Sequence, residues 1–154
     1  DNSSDYDVIY NLINNYKKIY NKKIDYLVYL RPTIPIRSIK LINTGIKNII
    51  NNPSFSSLRH IKEADYHPYW MFKIEKKILR SIIKNKDQQK FYRRQMLPKA
   101  YQCTGALDII NLKYQKKLNK NIYGNKVLPF FEKLPHIDID TNEDLKKLKK
   151  IINI

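Results

Sequence analysis

Two carboxylates spaced two residues apart stand in His136-Ile-Asp-Ile-Asp-Thr-Asn-Glu-Asp-Leu145, and they carry the clearest chemical potential in this sequence. Ile137 and Ile139 alternate with His136, Asp138 and Asp140, and a period of two predicts a strand with one buried face. On such a strand Asp138 and Asp140 project from the same side. A pair of carboxylates at a strand end can seat a hard divalent cation, which prefers oxygen ligands. The plainer reading of the same spacing has Asp138 capping a neighbouring group and Asp140 solvated in a turn. Thr141 then opens a helix as its N-cap, with Asp144 three residues on at capping-box spacing. Leu145, Leu148, Ile151 and Ile152 form its apolar stripe, and Lys146, Lys147, Lys149 and Lys150 its wet side.

Other metal and thiol chemistry has little to build on. Cys103 is the single cysteine, so there is no disulfide framework and no cysteine zinc site. The three histidines have no paired spacing that would suit zinc. Charge is the other marked feature: 30 Lys+Arg against 14 Asp+Glu give a formal net charge of +16. Such an excess fits a polyanionic partner such as nucleic acid, an acidic membrane surface or a phosphorylated ligand. The lysines are scattered among helices and loops, however, in a sequence crowded throughout with Lys, Asn, Ile and Tyr. No single stretch concentrates the charge, which makes a nucleic-acid partner the weakest of the functional readings.

The elements that must position these residues can be read in order. The length of 154 residues allows one domain with a real core, and 42% hydrophobic residues predict that it folds. Ser3 or Ser4 caps a first helix whose apolar positions Val8, Ile9, Leu12, Ile13, Tyr16, Ile19 and Tyr20 recur at helical spacing. Asp25-Tyr-Leu-Val-Tyr-Leu30 is a short apolar run suited to a strand covered on both faces, as in a parallel sheet. Prolines 32 and 35 force Arg31–Arg37 into an extended, kinked loop. Ser38 caps a second helix with Ile39, Ile42, Ile46, Ile49 and Ile50 inward, and Phe55 to Ile61 reads as a strand. This order predicts an α/β layered domain with a mainly parallel sheet, whose ligands lie at the C-terminal ends of the strands. Arg31–Arg37 and Asp140 both belong there.

Residues 62–100 break the rhythm. His67-Pro-Tyr-Trp-Met-Phe-Lys-Ile74 reads as an aromatic strand in a hairpin-like excursion, followed by the basic loop Tyr92–Pro98. Exposed aromatics in an excursion point to a subunit interface, with Tyr69, Trp70, Phe72 and Ile74 buried in a homodimer. The second half of Tyr101–Ile110 reads as a strand, and a short helix runs from Leu112 to about Leu118. No apolar run is long enough to cross a bilayer and the first residues are not signal-like, so the expected location is the cytoplasm.

Six stretches, in order, resemble the acylneuraminate cytidylyltransferases, the CMP-sugar synthetases that activate nonulosonic acids such as sialic acid. They are Tyr29-Leu-Arg-Pro-Thr-Ile-Pro-Ile-Arg37, His67-Pro-Tyr69, Arg94-Gln-Met-Leu-Pro98, Thr104-Gly-Ala106, Tyr123-Gly-Asn-Lys126, and Ile137-Asp-Ile-Asp-Thr141 with Asp144-Leu145. The resemblance implies a nucleotide-diphosphosugar transferase fold, Rossmann-like. It also implies the reaction: the anomeric hydroxyl of a sugar acid attacks the α-phosphate of CTP and pyrophosphate leaves. By the same resemblance Asp138 and Asp140 hold Mg2+ and Arg94 meets the sugar acid. Arg31, Gln95, Thr104 and Tyr123 fall at substrate-binding positions, and residues 62–100 serve dimerisation.

The resemblance also implies an N-terminal strand and a glycine- and basic-rich loop cradling the CTP phosphates. None of Gly45, Gly105 and Gly124 sits in such a loop, so the sequence looks like the C-terminal two-thirds of the enzyme, with a separate chain as one source for the rest. Three positions depart from the family pattern: Arg31 replaces a usual glutamine, Thr104 a frequent asparagine and Asp108 a common tyrosine. A changed sugar acid would explain them, and so would a catalytically inactive remnant or a dimerising subunit of a split enzyme.

Overall fold

A computed structural model describes residues 4–84, 93–117, 121–135 and 137–152. The contacts divide the chain into a larger unit, residues 1–61 with 104–154, and a smaller one, residues 62–103.

In the larger unit, helix α1 (Asp5–Tyr20) starts at Ser4, and Ser4 and Asp7 cap each other reciprocally. Asn21 ends it in the left-handed conformation at φ 49°. Strand β1 (Tyr26–Tyr29) leads into the proline-bearing loop, and α2 (Ile39–Asn51) follows with Ser38 as N-cap. Its inward face keeps Ile42, Ile46 and Ile49 of the expected isoleucine set and drops the other two. Leu41, Gly45 and Ile49 are buried, whereas Ile39 is 79% exposed and Ile50 is also exposed. The i, i+4, i+8 row of residues 41, 45 and 49 lies against the sheet because Gly45 has no side chain. A Cβ there would stand 2.5 Å from Leu107 Cδ2.

Strands β2 (Ser57–Glu63), β5 (Tyr101–Asn111) and β6 (Val127–Phe130) complete a four-stranded sheet of order β1-β5-β2-β6. The expected mainly parallel sheet is instead mixed. β2 and β6 pair in parallel, but β1 and β5 are antiparallel, with Tyr26 opposite Asn111 and Tyr29 opposite Asp108. Ser56 meets Asn111 and Thr104 meets His60, so β5 also opposes β2. The β1–α2–β2 passage is thus a parallel crossover with β5 inserted between its two strands. For the same reason β1 is an edge strand of half-buried residues rather than one covered throughout. All of Tyr101–Asn111 is strand, not only its second half.

Alternation along β1 and β5 separates two apolar clusters. Tyr26, Val28, Leu107 and Ile109 pack with Leu41 and Ile49 of α2. Leu27, Tyr29 and Ile110 pack with Ile9 and Ile13 of α1. Helices α1 and α2 therefore cover opposite faces of the sheet, a layered α/β arrangement. Asp108 falls on the α1 face, and it is fully buried there. A short 3-10 turn, Leu112–Lys117, follows β5.

The stretch around the two aspartates is not a strand. Residues 137–140 have no regular structure and His136 lies outside the described residues. Alternation survives in part, with Ile137 and Ile139 half-buried and Asp138 and Asp140 exposed. Among the described residues one backbone bond, Ile139 N–H to the Thr33 carbonyl at 2.9 Å, anchors it beside the loop that follows β1. Helix α3 (Asn142–Ile151) then begins at Thr141 with the expected capping box to Asp144. Of its apolar stripe only Leu148 is buried.

In the smaller unit the expected strand from His67 to Ile74 is divided. Pro68 fixes a 3-10 turn, Pro68–Trp70, capped by the His67 ring, and extended structure begins only at Phe72. Strands β3 (Phe72–Glu75) and β4 (Ile78–Ser81) form the hairpin, turning through Lys76 and Lys77, both at positive φ. Arg94–Met96 is a second 3-10 turn; Tyr92 lies outside the described residues. Among the described residues no helix is long and apolar enough to cross a membrane.

Candidate functional site

Six polar side chains meet on the α1 face of the larger unit. Arg31 leaves the end of β1 and donates through Nη2 to Asp5 Oδ2 at 3.0 Å and to the Tyr123 hydroxyl at 3.3 Å. Tyr123, in the loop before β6, donates its own proton to Asp108 Oδ2 at 3.0 Å. Arg59 of β2 reaches Asp108 Oδ1 through Nε at 3.0 Å, and its guanidinium lies 3.8 Å from the Tyr123 ring centre. Tyr29, opposite Asp108 in the sheet, donates to Asp5 Oδ1 at 3.1 Å.

Burial orders these groups. Asp108 has no exposure and Arg59 little, whereas the Arg31 side chain is 34% exposed and that of Asp5 42%. Burial, then the charge on Asp108, pushes the Tyr123 phenol up to about 12, so it stays a neutral O–H donor. Burial and the Asp5 contact raise the Tyr29 phenol as well. At Arg31 burial opposes the charge, but Tyr123 and Asp5 outweigh it and hold the guanidinium protonated.

The position of Arg31 is built from behind. Gly105 bends β5 at φ 72°, and a Cβ at that residue would lie 2.8 Å from Arg31 Cδ. Only glycine fits a left-handed residue under that stem. Arg37 caps the carbonyl of Arg31 and donates through Nε to the Ala106 carbonyl at 2.7 Å. Burial lowers the proton affinity of Arg37. Thr104 secures the bend from the other side. Its Oγ1 accepts from Ala106 N–H at 3.1 Å and lies 2.7 Å from His60 Nδ1. His60 Nε2 donates to the Glu132 carbonyl at 2.9 Å, and the Thr104 hydroxyl also reaches the His60 carbonyl at 3.4 Å. The Thr104 hydroxyl is thus buried and engaged within the protein.

Arg94 and Gln95 belong to the smaller unit. Arg94 lines a cavity of about 220 Å³ together with Glu63, His67, Trp70 and Lys99. Its guanidinium meets no carboxylate among the described residues, while Gln95, on the same turn, is exposed. His67 is fixed by the Pro98 carbonyl at 2.9 Å.

Asp138 and Asp140 both present carboxylates to solvent beside the loop after β1, on an irregular segment rather than at the end of a strand of their own. Asp144 is spent on capping, and the Thr141 hydroxyl and Lys147 hold its carboxyl below the usual range. Among the described residues no group of three or more His, Cys, Asp or Glu is placed to hold a metal ion.

The structure thus joins Arg31 with Tyr123, brings Asp140's segment to the Arg31–Arg37 loop, and sets Thr104 one residue from the glycine under Arg31. Sequence reasoning did not single out Asp5 or Arg59, and noted Asp108 only as a departure. The available signal was an aspartate within the apolar run Ala106-Leu-Asp-Ile-Ile110, since a buried charge requires a partner. No family model and no curated protein matches the chain.

Proposed function

We propose that the chain serves a CMP-sugar synthetase, in which CMP passes from CTP to a nonulosonic sugar acid and pyrophosphate is released. One observation carries this reading: Arg31 and Tyr123, from two of the resembling stretches 92 residues apart, meet at 3.3 Å on a half-exposed surface. The layered sheet is compatible with the finer assignment, a nucleotide-diphosphosugar transferase fold of Rossmann-like type. In this proposal the anomeric hydroxyl oxygen forms the new bond to the α-phosphorus as the bond to the pyrophosphate oxygen breaks, and the hydroxyl proton passes to solvent. Arg31 and Tyr123 hold polar groups of the substrate. Arg94, with Gln95 beside it, offers a guanidinium fork suited to a carboxylate. Thr104 acts at one remove, fixing the backbone beneath Arg31.

Asp138 and Asp140 are the residues that would hold Mg2+. Two exposed carboxylates suit an ion that keeps several waters and takes its remaining oxygens from substrate phosphates. When bound, the ion supplies charge neutralisation at the phosphate oxygens. The chain's own part is to orient the sugar acid, since phosphoryl transfer depends mainly on positioning and electrostatics.

A second reading, a dimerising subunit of a split enzyme or an inactive remnant, is favoured by the apolar hairpin of the smaller unit. The deciding experiment measures pyrophosphate release from CTP, Mg2+ and several nonulosonic acids, with the chain alone and with an N-terminal segment from an intact synthetase. Holding a triphosphate in line requires preorganised donors around its terminal oxygens. The expected outcome is release only when the segment is added. No release in either case would leave the subunit or remnant reading.

A further inference from the structure

The pairing of Arg31 with Asp5 differs in kind from the contacts behind it. Asp108 is fully buried, receives both Arg59 and Tyr123, and cannot leave without stranding a guanidinium. Asp5 is 42% exposed, sits in the first turn of α1, and among the described residues is held by Arg31 and the Tyr29 hydroxyl alone. It contributes nothing to the helix cap, which Ser4 and Asp7 complete between themselves. Arg31 is fixed independently of it, by Gly105 beneath its stem, by Arg37 at its carbonyl and by Tyr123 at Nη2. The guanidinium lies 5.3 Å from the Tyr29 ring centre, and among the described residues its hydrogen bonds leave from Nη2 alone, so Nε and Nη1 have no hydrogen-bond acceptor there. The charges point the same way. Arg31 and Arg59 are balanced by two carboxylates, Asp5 and Asp108, and without Asp5 they would face one.

We infer that the Asp5 carboxylate is an exchangeable occupant of Arg31, and that an anionic oxygen group of a ligand, a carboxylate or a phosphate, takes its place there. This rests on the reading that Arg31 faces substrate and deepens it. Half-exposed ion pairs are weak, so a ligand anion displaces Asp5 at small cost and finds a guanidinium already oriented. The fork geometry of arginine suits either oxygen group. Asp5 then keeps the site neutral and its arginine ordered while no ligand is present, and returns when the product leaves. Tyr29, released from Asp5 by the exchange, becomes available as a second donor to the incoming group.

The test compares the whole chain with Asp5→Asn, Arg31→Gln and the double variant by isothermal titration, using N-acetylneuraminate, CMP and inorganic phosphate as probes at low salt. Circular dichroism checks that each variant folds. Asp5→Asn should bind at least one probe about two- to fivefold more tightly than the unaltered chain, the range a weak surface pair allows. That gain should vanish in the double variant, which separates exchange at Arg31 from a general change in net charge. A gain with the sugar acid or with CMP identifies which group occupies Arg31. A gain with inorganic phosphate alone upholds the exchange while removing support for the synthetase reading. No gain with any probe, or a gain that persists without Arg31, overturns the inference.

Discussion

The hydroxyl of Tyr123 donates at 3.0 Å to Asp108, a carboxylate with no exposure to solvent. That bond ties the loop before β6 to the central strand β5, and it leaves the phenolic oxygen free to accept from Arg31 on its other side. Tyr123→Phe keeps the ring under Arg59 but removes both bonds. Loss of a partly buried hydroxyl between charged groups should cost about 1–2 kcal/mol in urea unfolding at neutral pH. The phenol is raised from 10.0 to about 12 in the folded chain, so its contribution is complete below pH 10.0 and is lost as pH rises through about 12. The difference between the unaltered chain and Tyr123→Phe should therefore narrow over that window. A difference independent of pH would refute this account.

Asp108→Ala tests the buried pair. Removing one partner of a buried ion pair costs about 3–5 kcal/mol, because the remaining charge is stranded. Arg59 retains 22% exposure and can turn part of its guanidinium to water, so the lower end of that range is expected. A companion change of Arg59 to Met should recover most of the loss in thermal unfolding. If the double variant is as unstable as the single, the pair is not what Asp108 supports.

Gly105→Ala places a methyl group 2.8 Å from Arg31 Cδ in a backbone conformation that side chains disfavour by about 1–2 kcal/mol. It should lower the melting temperature. It should also weaken binding of anionic probes, whereas a purely structural glycine would change only the first measurement.

Local chemistry was legible in the sequence, and pairing was not. Ser4, Ser38 and Thr141 cap the three helices as their spacing implied, because a cap depends on residues three apart. Of the isoleucines of α2, Ile42, Ile46 and Ile49 pack on the core as their spacing implied, whereas Ile39 and Ile50, at its ends, are exposed, and the unobtrusive Leu41 and Gly45 face the sheet. A mainly parallel sheet followed from the helix–strand order. The insertion of β5 between β1 and β2 depends on a return from residues 62–100 that no periodicity encodes. At the site, Arg31 and Tyr123 carried a signal through the family resemblance. Asp5 did not, since its role exists only once α1 lies over β1.

Asp140→Asn addresses the metal. Asp140 is exposed, so the change should leave thermal stability within about 0.5 kcal/mol of the original. In the unaltered chain Mg2+ and a non-hydrolysable CTP analogue should each increase the affinity of the other, as linkage requires. The coupling should be absent in Asp140→Asn. If it persists at full strength, Asp140 is only a solvated turn residue.

The β3–β4 hairpin yields the last expectation, a homodimer. Facing pairs across an antiparallel ribbon share a side. Ile74 faces Leu79 and Phe72 faces Ser81, which makes one side apolar. On the other side Lys73 at 2.6 Å and Arg80 at 3.3 Å share the Glu75 carboxylate, which faces Ile78, so that side is charged and basic. The apolar side is open, with Ile74 76% and Leu79 64% exposed. A two-stranded ribbon is marginal alone in water, and contiguous exposed apolar surface of this kind marks an interaction site. A second copy offers the same surface, and a two-fold contact requires a patch complementary to itself. Sedimentation at micromolar concentration should therefore show a dimer. Changing Ile74 to Lys and Leu79 to Glu together should give a monomer whose circular dichroism is unaltered, because neither side chain supports a core in its own chain. A folded, monodisperse monomer of the unaltered chain would eliminate this interface.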